Sequence, residues 1–97
     1  MDVFISQKIS VSDGTISREL IRSFDSKIAP QINSRILDPA FLNPKGYLAL
    51  EVAINYEDEE CWVYIEPIKI NGNDVEDLHD IINDYITRGW ECPIPLR

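Results

Sequence analysis

Ile16-Ser17-Arg18-Glu19-Leu20-Ile21-Arg22-Ser23-Phe24-Asp25-Ser26-Lys27-Ile28 is the stretch on which the fold class turns. Its apolar residues, Ile16, Leu20, Ile21, Phe24 and Ile28, recur at helical spacing and form one stripe. Asp13-Gly14 stands just before it. That dipeptide signals a hairpin when alternation continues on both sides, and here the alternation stops. The stretch therefore reads as a helix with Asp13 or Thr15 near its N-cap. Pro30 ends or kinks it, because proline lacks an amide donor and disfavours helical geometry at Ala29.

Upstream, Val3, Ile5, Ile9 and Val11 share one face and Ser6, Lys8 and Ser10 the other, the period of a half-buried strand. Downstream, Ile32, Ile36 and Leu37 read as a further short turn packed on the core. Asn43-Pro44-Lys45-Gly46 fits a β-turn. Leu48, Leu50, Val52, Ile54 and Tyr56 then alternate with Tyr47, Ala49, Glu51, Ala53 and Asn55, the clearest strand in the chain. Cys61 to Ile70 resumes the β-forming pattern after Glu57-Asp58-Glu59-Glu60, so the two runs read as a hairpin. Pro67 cannot donate to a ladder, which makes the second strand an edge or bulges it there. Asn71-Gly72 makes the turn out. Asn73 reads as an N-cap with Glu76 completing the box, and the last helix runs to about Arg88 with Gly89 as its stop.

The resulting order is β-α-β-β-α. The expected fold is a small α+β domain with an antiparallel-rich three-stranded sheet and helices on one face. It fills residues 1–97 as one domain, with 89–97 an extended tail.

Charge is distributed unevenly. Met1 to Gly46 holds five acids and six bases, whereas Tyr47 to Arg97 holds twelve acids and three bases; together they give the net −8. Such asymmetry favours a partner of opposite sign and argues against direct binding of nucleic acid or an anionic membrane. The N-terminus has no basic region followed by a long apolar run, and no apolar stretch approaches the roughly 20 residues of a spanning helix. Cys61 and Cys92 lie in no metal or redox spacing, so both read as reduced thiols of a cytoplasmic protein.

Catalytic chemistry has little to build on. His79 is the single histidine and lies beside the apolar stripe of the last helix. One histidine and two distant cysteines make a poor zinc set. The four glycines stand alone at turns, which leaves no phosphate-cradling loop. The chain therefore reads as non-enzymatic, without metal or cofactor.

Two acidic clusters remain. With Glu76 at 0° on the last helix, Asp77 falls at about 100°, Asp80 at about 40° and Asp84 at about 80°, a ridge facing away from the apolar stripe. Acids in the first turn complement the helix dipole, which accounts for Glu76 and Asp77 but not for Asp84. Glu57, Asp58, Glu59 and Glu60 form the second cluster, in the hairpin loop. Either cluster alone reads first as a solvated surface, and the two together favour binding most if they lie on one side of the fold. Trp62 and Tyr64 alternate with Val63 and Ile65, so both faces of that strand are apolar, and one faces the Pro-rich tail, the Asp38–Gly46 connection or a partner.

These ten residues, Glu57–Glu60, Trp62, Tyr64, Glu76, Asp77, Asp80 and Asp84, are the candidate partner-binding set. The function they suggest is stoichiometric inhibition of a basic, nucleic-acid-handling protein such as a nuclease toxin or a nucleic-acid-binding defence complex. Immunity proteins, antitoxins and phage-encoded anti-defence proteins, anti-CRISPR proteins and nucleic-acid mimics among them, act in this general way; the likeness is one of charge and size. The alternative is an assembly module that uses the hairpin edge to form homo- or hetero-oligomers.

Overall fold

The computed structural model describes residues 1–96; Arg97, the end of the expected tail, lies outside the described residues. Strand β1 spans Asp2–Ser10 and pairs antiparallel with β2, Ser17–Asp25, from Asp2↔Asp25 to Ser10↔Ser17. The expected first helix is thus a strand. Asp13-Gly14 is the hairpin signal after all, with Gly14 at φ 75° and its amide donating to the Val11 carbonyl at 3.0 Å.

Edge position explains the difference. β2 has one neighbouring strand, and of its inward side chains only Leu20 is fully buried. Arg22, beside Leu20 on that inward face, reaches past the core to Asp38, with Nη1 to Oδ2 at 2.8 Å, and to the Arg88 carbonyl at 3.0 Å. The Arg22 guanidinium also lies 5.1 Å from the centre of the Phe24 ring. An edge strand carrying arginine on its inner face loses the alternation that marks strands, and the remaining apolar spacing mimics a helix.

Two residues, Arg35–Ile36, form β3 and pair with the start of β4, Tyr47–Asn55. The short turn expected around Ile32 to Leu37 is this strand, and Ile32 and Leu37 are exposed. β4 forms the expected hairpin with β5, Glu60–Ile65, interrupted by a bulge between Ala49 and Glu51. Glu66-Pro67 breaks β5 from β6, Ile68–Lys69. β5 lies between β1 and β4, so of the two alternatives Pro67 interrupts the strand and does not mark an edge. β5 lies parallel to β1 from Asp2↔Glu60 to Ser6↔Tyr64, and β6 continues along β1 from Ile9↔Ile68.

The sheet order is β2-β1-β5-β4-β3, with β6 beside β1. The described residues form a curled, mixed half-barrel of six strands with one short helix, in place of a three-stranded sheet carrying several helices. That helix, α1, spans Val75–Thr87. Asp74 caps it by accepting from the Glu76 amide at 2.9 Å, while Asn73, the expected cap, accepts from the Asp13 amide at 3.0 Å. α1 seats Leu78, Ile82 and Tyr85 in the core that Val3, Ile5, Ile9, Leu20, Cys61, Val63 and Ile65 line from the concave side. Each fully buried aliphatic side chain there contributes about 1.5–3 kcal/mol. No helix of the described residues is long and apolar enough to cross a membrane.

Candidate protein-binding face

The convex side of the sheet takes the other half of each alternation. Even-numbered residues of β1 point outward, and the register sets Phe4 beside Trp62 and Ser6 beside Tyr64. Phe4 and Trp62 stack with centroids 4.6 Å apart and planes at 18°; Trp62 and Tyr64 follow at 6.4 Å and 20°. Stacked pairs on neighbouring strands contribute roughly 0.5–1.5 kcal/mol beyond burial. Tyr64 remains 37% exposed, and Phe4 and Trp62 are half-buried. α1 lies on the opposite face, so nothing regular covers this row.

Two open depressions flank it. One, about 360 Å³, lies among Ser6, Lys8, Glu19, Tyr64 and Pro67. The other, about 230 Å³, lies among Phe4, Ile21, Ser23, Trp62 and Glu91. Beside the first, Ser6 Oγ donates to Glu19 Oε2 at 2.5 Å, which fixes that carboxylate against the sheet.

Charge frames the row. On the strand positions of this face stand the carboxylates of Asp2, Glu19, Asp25, Glu51 and Glu60, against Lys8, Lys69 and Arg35, which lie toward the far end of β1 and on β3. The hairpin turn adds Glu57, Asp58 and Glu59. Asn55 organises that turn: its Oδ1 accepts from the amides of Glu57 and Asp58 at 3.1 and 3.2 Å, and its Nδ2 donates to Asp58 Oδ2 at 3.0 Å. The Asp2 amide donates to the Glu59 carbonyl at 2.9 Å, which ties the turn to the start of β1. One end of the sheet thus gathers Asp2, Asp25 and Glu57–Glu60. Among the described residues the only cation in ion-pair contact with them is the Met1 ammonium, 3.5 Å from Asp25.

The helix acids are elsewhere. Glu76, Asp77, Asp80 and Asp84 are exposed on the outward side of α1, and Asp84 pairs with Arg88 at 3.4 Å. α1 begins beside the β1–β2 turn, where Ser12 donates to the Gly72 carbonyl. The hairpin lies at the other end of β1, about 26 Å away at roughly 3.3 Å per residue. α1 then runs back along the concave side until Arg88 meets Arg22, so the fold brings Glu57–Glu60 together with Trp62 and Tyr64 and sets the helix ridge on the other side of the sheet.

Phe4, Asp2, Asp25 and Glu51 complete the face and lie outside the candidate set. Phe4 is legible as an aromatic on the polar side of an alternating strand. Asp2 and Asp25 join the hairpin only through the parallel pairing of β1 with β5, which leaves no local trace in the sequence.

Reactive groups are sparse around this face. Cys61 is buried and Cys92 half-buried, and burial pushes both thiols up. His79 Nδ1 lies 3.4 Å from Asn83 Nδ2 on the helix. No three histidine, cysteine or carboxylate side chains among the described residues are grouped to hold a metal. Aromatic surface bordered by carboxylates is what the face offers, and that composition suits binding.

The chain matches no protein-family model, no curated protein and no solved structure.

Proposed function

We propose that this chain is a non-enzymatic binding domain that neutralises a basic, nucleic-acid-handling protein in the cytoplasm. The observation that carries the reading is the uncovered Phe4–Trp62–Tyr64 stack set beside the carboxylates of Asp2, Asp25 and Glu57–Glu60. Aromatic anchors supply the desolvated centre that interfaces need. The surrounding carboxylates steer a cationic partner and speed its arrival. A nuclease or nucleic-acid-binding complex presents the cationic groove that fits such a border, because it must neutralise phosphates itself. The ridge on α1 adds long-range attraction but stands outside the contact.

Affinity capture from the native host, using wild type and two variants, tests this. Trp62→Ala with Tyr64→Ala, and Glu57, Asp58, Glu59 and Glu60 all changed to the corresponding amides, should each lose the same basic protein. Capture should also weaken as salt rises. Capture of one partner set by all three proteins, unaffected by salt, sinks the reading.

A further inference from the structure

The two edges of the sheet are treated differently. Along β2, Glu91 exchanges both backbone hydrogen bonds with Ile21 at 2.8 Å. Continuing antiparallel, the next tail residues to bond would face Glu19 and Ser17, and these are Pro93 and Pro95, which have no amide hydrogen. Proline and an overlying segment are the usual means of blunting an edge. The other edge has no such guard. β3 and the neighbouring Asn33 and Ser34 cover β4 only as far as Ala49, whose amide donates to Ser34 and whose carbonyl accepts from Asn33. From Glu51 to Asn55, no strand among the described residues pairs with the outer side of β4.

The hydrogen-bond phase identifies the free groups. Leu48 accepts from Glu66, so β5 bonds to β4 through Glu66, Tyr64, Trp62 and Glu60. Their partners beyond the bulge are Glu51, Ala53 and Asn55. The N–H and C=O of Val52 and Ile54 therefore point away from the sheet. Around them the surface is apolar, with Leu50 53% and Ile54 40% exposed.

We infer that this edge pairs with its counterpart in a second copy of the chain, antiparallel and centred on Ala53. In that register Val52 of each copy exchanges both bonds with Ile54 of the other, so every free edge group is satisfied. Glu51 meets Asn55 and not another carboxylate. Each hairpin turn also arrives where β3 of the other copy begins, which brings Glu57 and Asp58 toward the exposed Arg35 that pairs with Leu48. No other register uses Val52 and Ile54 of both copies together. The pairing extends one sheet through the dimer and keeps both convex faces on the same side. It does not depend on the partner proposed above.

The net −8 of each copy opposes association, so the dimer should strengthen with salt, the reverse of the expected dependence for a cationic partner. Sedimentation across a concentration series at low and high salt reads this directly. Ala53→Glu, at an exposed position, sets two carboxylates face to face on the axis and should abolish the dimer while leaving circular dichroism unchanged. Opposed Ala53 residues form a non-hydrogen-bonded pair with Cα atoms about 4.5 Å apart, within disulfide reach. In a Cys92→Ser background, Ala53→Cys should therefore cross-link under mild oxidation much faster than the exposed Ser23→Cys. Monomeric sedimentation at the highest concentration in high salt overturns the proposal. So does a dimer indifferent to Ala53→Glu, or equal cross-linking at the two cysteines.

Discussion

Gln7 is the residue whose environment says most about how the core is held. It is fully buried among aliphatic side chains on the inner face of β1. Its Nε2 donates to the Glu66 carbonyl at 3.0 Å, the last carbonyl before Pro67 breaks the strand. Its Oε1 accepts from the Tyr85 hydroxyl at 2.7 Å. Burial pushes the Tyr85 phenol far above its ordinary range, so it remains a donor. One amide thus links the strand break, the central strand and the helix. A buried polar group left without its partner costs about 1–3 kcal/mol. Tyr85→Phe, which orphans Gln7 Oε1, should lower stability by about that amount in urea unfolding. Gln7→Leu should cost more, because it orphans both the phenol and the carbonyl. The double variant should cost less than the two singles summed, since without the Tyr85 hydroxyl no acceptor is needed; strict additivity would show that the groups are uncoupled.

Among the elements, legibility follows position in the sheet. The β4–β5 hairpin and α1 are readable because each carries a long apolar period, broken in β4 only by the bulge that turns Ala49 inward and leaves Leu50 exposed where the alternation puts Leu50 with Val52, and Trp62 and Tyr64 fall on their face for the same reason. β2 is not, because Arg22 stands on its inner side and Asp38 compensates it from a distant connection. That compensation is thorough: Asp38 Oδ1 also accepts from Trp90 Nε1 at 3.0 Å and from the Ala40 amide at 2.9 Å. β3 escapes notice because two residues carry no period at all. Its place depends on Gly46, at φ 78°, where an added methyl would land on the Ile36 carbonyl oxygen and against Leu37. Gly46→Ala should therefore cost ~2 kcal/mol or more, left-handed strain plus displacement of β3. Gly14, at φ 75°, has nothing within 4 Å of the same position. Gly14→Ala should cost only the backbone strain, about 1–2 kcal/mol. Thermal unfolding of the two variants checks the ranking.

At the scale of the whole molecule, acidic charge is concentrated in two places, the hairpin end of the sheet and the outward side of α1, and each repels mainly itself. The cationic first half of the sequence does not shield them: Arg22 is committed to Asp38, and the described ion pairs leave Glu57–Glu60 without a cation. Screening should therefore stabilise the fold. Raising salt from about 0.01 M to about 0.5 M shortens the screening length from roughly 30 Å to below 8 Å. If this relieves on the order of 1 kcal/mol, the midpoint rises by about 4–8 °C for a domain this size. Replacing Glu57–Glu60 by uncharged amides should remove much of that rise.

The parallel pairing of β1 with β5 has a consequence for the life of the nascent chain. β1 leaves the ribosome before any of its partners, yet it ends as a central strand whose second neighbour, with Glu60 beside Asp2, is synthesised fifty-eight positions later. The β1–β2 hairpin emerges with one side open and stays so until β5 has been translated. Such long-range closure makes folding slow and leaves a sticky intermediate. Serine and lysine at Ser6, Lys8 and Ser10, which point away from the concave core, keep one side of that waiting hairpin polar while synthesis catches up.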